Sequence, residues 1–129
     1  MSDENNELEN YYVIKFENFI NLVNQTDAVY HILSNLLQET TQKTDPEKWD
    51  TTALPEISAY YSVVNDLKNY LDDIINEPTE KEIELTVKYN LTDVLISVED
   101  LAIVNALLTE MQNHEQMLHE EYKINTIIQ

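Results

Sequence analysis

The side chains of this 129-residue chain that are best equipped for chemistry are its carboxylates. The sequence contains 25 acidic residues and seven basic ones, all of them lysines, which gives a formal net charge of −18 at pH 7. A small domain needs a net charge of only about 2–8 to stay dispersed. The larger excess causes self-repulsion in the compact state, so it is tolerated for a reason that is either selective or incidental, and it would attract cationic surfaces.

Two rows of acids are predicted to lie on helix faces. Asp66, Asp73 and Glu77 fall close to one line of a helix, with steps of about 6–11 Å along its axis. Glu99, Glu110 and Glu121 recur every 11 residues, a period that keeps them within a narrow arc of one helix face. Such rows resemble the charge density of a nucleic-acid backbone. The predicted partner-binding acids are Asp66, Asp72, Asp73, Glu77, Glu99, Asp100, Glu110 and Glu121.

Aromatic side chains could anchor such a contact, because tyrosine and tryptophan are enriched among the residues that dominate binding energy. The predicted anchors are Trp49, Tyr60 and Tyr61. A plainer interpretation stays open: the acids only solvate a helical bundle, and the tyrosines belong to its core.

Metal binding is the second chemistry to weigh. His114 follows Glu110 by four residues and His119 follows Glu115 by four, a spacing that can place two ligands on one helix face. A di-iron bundle needs Glu-x-x-His from each of two helices, and the chain carries no such repeated motif. We therefore predict neither a metal nor a cofactor. His31 lies between apolar neighbours and is predicted at the edge of the core.

Catalytic motifs are lacking. Without cysteine or glycine, the chain has no thiol nucleophile, no Gly-x-Ser-x-Gly elbow and no glycine-rich phosphate loop. Without arginine it has no arginine finger. We predict that the protein is not an enzyme, and that it does not bind nucleic acid directly, because the phosphate backbone would repel it.

The elements that must position these residues are predicted to be helices. A chain without glycine is poorly suited to tight hairpins, which require positive φ, whereas helices joined by polar turns remain available. We predict a mainly α fold, a compact bundle of about four helices whose last helix is long and central. Residues 1–8 are expected to form an acidic tail and residues 9–129 a single helical domain.

Apolar spacing divides the first part of the chain. One stripe contains Val13, Phe16, Ile20 and Val23, and a second, from Val29 to Leu37, is rotated away from it. Thr26 between them is a candidate N-cap. This pattern predicts two helices, or one sharply kinked helix, ending near residues 38–40. A polar loop with Pro46 follows, and Pro55 and Pro78 then bound a third helix.

The segment after Pro78 allows two interpretations. Thr79 and Glu82 form a capping box that starts a helix, whereas the alternation of apolar and polar residues over 82–90 also fits a short strand. Helix is the favoured prediction and strand the alternative. Residues 94–108 are apolar on all sides, which is typical of the buried centre of a bundle or of a helix that packs against a second copy.

Two functions follow. The first is a non-enzymatic acidic antagonist that mimics nucleic acid and occupies the basic surface of a nuclease or other nucleic-acid-binding protein. Anti-CRISPR and anti-restriction factors of phages or mobile elements, and immunity proteins of nuclease toxins, are of this kind. The alternative is a helical homo-oligomeric adaptor, a dimer for example, with incidental acidity. No apolar run approaches the ~20 residues of a membrane span, so no membrane contact is predicted, and the expected location is the cytoplasm of a bacterial or phage-infected cell.

Overall fold

The computed structural model describes residues 8–125, so the predicted tail, apart from Leu8, lies outside the described residues. Helices dominate, as the sequence predicted. In chain order the elements are β1 (Tyr11–Ile14), α1 (Phe16–Lys43), a 3-10 helix (Pro46–Thr51), α2 (Leu54–Asn76), α3 (Glu80–Lys88), β2 (Val94–Ser97) and α4 (Val98–Tyr122).

Helix α2 lies between the two other long helices and packs against both of them. Paired contacts make the neighbouring helices antiparallel: Tyr30–Tyr61 and Asp27–Lys68 join α1 to α2, and Tyr70–Asp100 and Glu56–His114 join α2 to α4. The long final helix is confirmed, whereas the central position belongs to α2.

The core follows the apolar face predicted for α2. Its buried residues recur at three- and four-residue steps, the period of one helix face: Leu54, Ile57, Tyr60, Val64, Leu67 and Leu71. Pro55 lies in the first turn of α2, where its missing N–H leaves no backbone bond unmade. The helix ends at Asn76, two residues before Pro78.

The predicted break near Thr26 is wrong, because α1 is continuous from Phe16 to Lys43. Thr26 is buried, and its hydroxyl donates to the carbonyl of Leu22 at 2.8 Å. This bond satisfies the hydroxyl inside the helix. Phe19, Thr26 and Leu33 are buried at seven-residue steps along one face of α1. Thr26 therefore occupies a core position between the two apolar stripes, and its polarity made one helix look like two in the sequence.

The capping box is confirmed and the strand alternative for residues 82–90 is wrong. The Glu82 N–H donates to the Thr79 hydroxyl at 3.2 Å, and the Thr79 N–H donates to the Glu82 carboxylate at 2.9 Å. Helix α3 follows from this cap. No glycine is present, and the left-handed positions that end α3 and α4 fall on Asn90 and Lys123 instead.

Strand β2 occupies the start of the stretch predicted as helix. It pairs antiparallel with β1, from Tyr11 opposite Ser97 to Ile14 opposite Val94. We call this two-stranded sheet the ribbon. It connects the starts of two helices, because α1 follows β1 and α4 follows β2. The Phe16 N–H at the start of α1 donates to the Asp93 carboxylate at 3.0 Å.

Helix α4 is not a helix buried on all sides. It buries one residue per two turns, namely Val104, Met111 and Leu118. Ile103 and Met117 on its other side remain 44% and 43% exposed. The apolar residues of 94–108 therefore belong to two elements. The first is strand β2, in which Leu95 and Ile96 are buried, and the second is helix α4, which has both buried and exposed apolar residues.

Candidate functional site

Carboxylates from three helices line a recess of about 140 Å³ near the ribbon. We call this part of the molecule, residues 8–16 and 73–100, the ribbon end. Asp73 and Glu77 come from the end of α2, Glu82 from α3 and Asp100 from the first turn of α4. We call this site the acidic recess. Three of these acids were predicted as partner-binding residues, whereas Glu82 was interpreted only as part of a helix cap.

Tyr70 lies in the wall of the acidic recess and reports on its electrostatics. Its hydroxyl donates a hydrogen bond to the Asp100 carboxylate. Burial, this hydrogen bond and the negative charges of Asp100, Glu99 and Glu82 raise the pKa of Tyr70 to about 12. Burial, followed by the charges of Glu82 and Asp100, also raises the pKa of Tyr11. Two tyrosines therefore experience the same concentrated negative field.

The acids at the end of α2 oppose the electrostatics of folding. The C-terminus of a helix carries partial negative charge, which favours cations by about 0.3–1 kcal/mol each and disfavours anions. The last turn of α2 contains no basic residue. Asp73 lies in that turn and Glu77 at the C-cap, and Glu82 and Asp100 face the same recess. The end of α2 therefore disfavours Asp73 and Glu77, whereas Glu82 and Asp100 lie in the first turns of α3 and α4, which favour anions.

The remaining predicted acids do not line the recess. All five are on the surface, although Glu99 is close enough to affect the pKa of Tyr70. Glu99 and Glu121 are 22 residues apart on α4, which is about 33 Å at the helical rise. The predicted set is therefore not one compact site; it consists of the recess and a surrounding exposed set: Asp66, Asp72, Glu99, Glu110 and Glu121.

An apolar cleft of about 280 Å³ adjoins the acidic recess, and both are lined by Ile74 and Glu82. Phe16 and Ile75 line the cleft and are 51% and 37% exposed, and the Asp93 carboxylate lies in its wall. The sequence analysis missed this cleft. Its walls come from the start of α1, the end of α2, α3 and β2, which only tertiary packing brings together.

The predicted aromatic anchors do not belong to either site. Tyr60 is fully buried and stacks on His114 with ring centroids 5.8 Å apart, so the prediction that it anchors a partner is wrong. Tyr61 is half-buried against α1, where its hydroxyl donates to that of Tyr30 at 2.8 Å. Trp49 is also half-buried, and its indole N–H donates to the carbonyl of Thr44 at 3.0 Å.

The histidines have local partners. His114 contacts the Glu56 carboxylate on α2, and His119 contacts the Asn125 side chain. His31 is a surface residue with its Nε2 3.4 Å from Asp27, so its predicted place at the edge of the core is wrong. Within residues 8–125, no group of three or more carboxylate or histidine side chains is arranged to hold a metal ion.

Among the helices of residues 8–125, none has both the length and the apolar character needed to cross a membrane. No protein-family model, curated protein or solved structure matches the chain.

Proposed function

We propose that this protein is a non-enzymatic acidic inhibitor that occupies the basic surface of a nucleic-acid-handling protein. Its target would be a nuclease or another nucleic-acid-binding protein, as for anti-CRISPR and anti-restriction factors or for immunity proteins of nuclease toxins. Its place of action would be the cytoplasm of a bacterial or phage-infected cell. It would act by presenting carboxylates where the target expects phosphates.

One observation carries this proposal: the acidic recess concentrates four carboxylates at the negative end of α2. The helix dipole disfavours Asp73 and Glu77 there, and Glu82 and Asp100 line the same recess. Charges that reduce stability are typical of residues kept for function, since functional sites commonly conflict with the folding optimum. A uniformly solvating surface would not require acids at this position.

The surrounding charge would act at longer range. With a net charge of −18, the molecule would steer a cationic partner toward itself and raise the association rate steeply at low salt. The exposed acids Asp66, Asp72, Glu99, Glu110 and Glu121 would contribute to that field without needing a fixed contact. The acidic recess would then supply the close contacts.

The test is capture of the partner by the immobilised protein at about 0.1 M and about 1 M salt, with mass spectrometry of what is retained. The Debye length falls from about 10 Å to about 3 Å over this range, so we expect a basic, nucleic-acid-binding protein that is lost at high salt. In a second step, the inhibitor should displace nucleic acid from the purified partner.

A matched pair of variants separates local from total charge. Asp73→Asn with Glu77→Gln neutralises two acids of the recess, and Asp66→Asn with Glu110→Gln neutralises two exposed acids elsewhere. We expect the first pair to weaken inhibition by at least about tenfold, or 1.4 kcal/mol, and the second by much less. Capture of only neutral or acidic proteins with salt-independent affinity would contradict the proposal.

A second candidate function, a homo-oligomeric adaptor, is favoured by the exposed apolar residues of α4. Val98, Ile103, Met117 and Tyr122 are each at least 40% exposed. If they form a self-association surface, light scattering should show a concentration-dependent oligomer that persists in high salt, because apolar packing is not screened. A monomer at all concentrations would remove this candidate.

A further inference from the structure

Several large apolar side chains of the ribbon end are exposed. Phe16 and Ile75 line the apolar cleft at 51% and 37% exposure. On α3, Glu82 and Thr86 line the same cleft, and the next row of that helix exposes Ile83 and Val87 at 51% and 75%. Contiguous exposed apolar surface rimmed by polar groups is typical of a protein interaction site.

The negative charge around the cleft determines which kind of molecule could bind there. Residues 73–100 contain eight acidic residues and two lysines, Lys81 and Lys88, a net charge of −6. A second copy of the chain would bring the same charge against itself, and nucleic acid would be repelled in the same way. A cationic polypeptide is the occupant that is complementary to the apolar cleft and to its rim.

The dimensions of the two sites limit what enters them. The cleft, at about 280 Å³, is smaller than the ~300–1,000 Å³ of most small-molecule pockets. It can admit one or two side chains. The acidic recess, at about 140 Å³, is smaller again and is lined by Asp73, Glu77, Glu82 and Asp100. Because Ile74 and Glu82 line both sites, adjacent side chains of one segment could reach the two together.

We infer that the apolar cleft and the acidic recess together form a composite docking site for a basic polypeptide segment. This segment inserts one or two bulky apolar side chains beside Phe16 and Ile75 and places a neighbouring lysine or arginine in the acidic recess. The inference rests on the proposed function, which requires a cationic partner, and it specifies the chemistry of that partner. The apolar insertion distinguishes this partner from an arbitrary polycation.

Three synthetic peptides test the composite recognition by fluorescence anisotropy. The first contains lysines and leucines, the second has serine in place of each leucine, and the third has glutamine in place of each lysine. We expect the first to bind at least about tenfold more tightly than either control, because buried apolar anchors and desolvated charges dominate such interfaces. At about 1 M salt, where charge is screened within about 3 Å, it should retain more affinity than the serine peptide.

Variants of the cleft locate the apolar contact. Phe16→Ser with Ile75→Ser should lower affinity for the leucine peptide by at least about tenfold and leave the serine peptide unaffected. The matched control is Ile103→Ser with Met117→Ser, which removes apolar side chains of similar exposure from α4. Thr92→Trp, at an exposed residue of the cleft wall, should obstruct binding without deleting any apolar contact, so it tests the site even if the serine variant is poorly folded.

The outcomes separate this inference from the proposed function. Equal binding of the leucine and serine peptides, or equal loss in the cleft and control variants, would overturn the composite site. If neutralising Asp73 and Glu77 abolishes partner capture while the cleft variants retain it, the proposed function stands and the inference fails. If neither change affects capture, both fail.

Discussion

The middle of helix α2 and the ribbon end of the molecule differ in how far their apolar side chains are buried. In the middle of α2, Tyr60, Val64 and Leu67 are completely buried between α1 and α4. At the ribbon end, Phe16, Ile75 and Val87 stay exposed beside a concentration of carboxylates. The same helix thus changes character over about three turns. The difference indicates that stability comes from the middle of the bundle, whereas binding is expected at its end.

The strongest test of this contrast truncates one fully buried and one partly exposed aliphatic side chain of α2. Leu67→Ala should reduce the free energy of unfolding by about 2–5 kcal/mol, because the fully buried site cannot collapse around the cavity. Ile75→Ala on the same helix should cost less, about 1–2 kcal/mol, since its side chain is 37% exposed and loses only part of a full burial. Urea denaturation measures both. Similar losses would show that the ribbon end is as much a part of the core as the middle of α2.

A smaller effect is expected from a contact within the ribbon end, where β2 is joined to the start of α1. Asp93→Ala removes the carboxylate that accepts the Phe16 N–H at the start of α1. The loss of such a cap costs about 0.5–2 kcal/mol. Asp72→Ala, an exposed acid of α2, is the control and should leave stability nearly unchanged. Equal effects of the two changes, by urea denaturation, would mean that Asp93 does not hold the ribbon to α1.

Neutralising Asp73 and Glu77, as Asn and Gln, should raise the free energy of unfolding by about 0.3–1 kcal/mol per residue at low salt, because it removes anions from the negative end of α2. Asp66→Asn, in the middle of the same helix, should have less effect. Thermal unfolding at low and high salt would measure this. A decrease in stability would contradict the view that these acids are held against the folding optimum.

The last expected effect is confined to the alkaline range. The pKa of Tyr70 is raised from 10.0 to about 12 in the folded protein, so the folded state keeps this proton at pH values where the unfolded state loses it. The resulting stabilisation is fully present below pH 10 and is lost as the pH rises toward 12. Tyr70→Phe should remove the phenol that titrates near pH 12 from the ultraviolet absorbance titration and flatten the decline of stability between pH 10 and 12. An unchanged titration would show that Tyr70 is not in this acidic field.

Local signals predicted much of the fold. The Thr79–Glu82 capping box and the apolar period of α2 depend on residues within one or two turns of each other, so they are visible in the sequence. The pairing of Tyr11–Ile14 with Val94–Ser97 joins residues that are 80 to 86 positions apart, and no local sequence pattern indicates it. The helix boundary predicted at Thr26 was wrong because a polar residue was taken as the end of an apolar stripe. Its hydroxyl is instead satisfied by a hydrogen bond within α1.

The candidate site was predictable only in part. Asp73, Glu77 and Asp100 were selected because acids on helix faces are expected at the surface, and they do converge. Glu82 was missed because its role in the cap accounted for it completely. Tyr60 was chosen for its residue type, which could not distinguish a partner anchor from a core ring that stacks on His114.

Composition and short-range spacing were sufficient to establish a strongly acidic, mainly helical chain with a long last helix, because charge and helix formation depend on residue type and near neighbours. They could not reveal which acids share a recess, where the two strands pair, or that an apolar cleft opens beside the carboxylates. Those features arise from contacts between distant segments. Their free energy depends on how the helices pack and not on any single stretch of the chain.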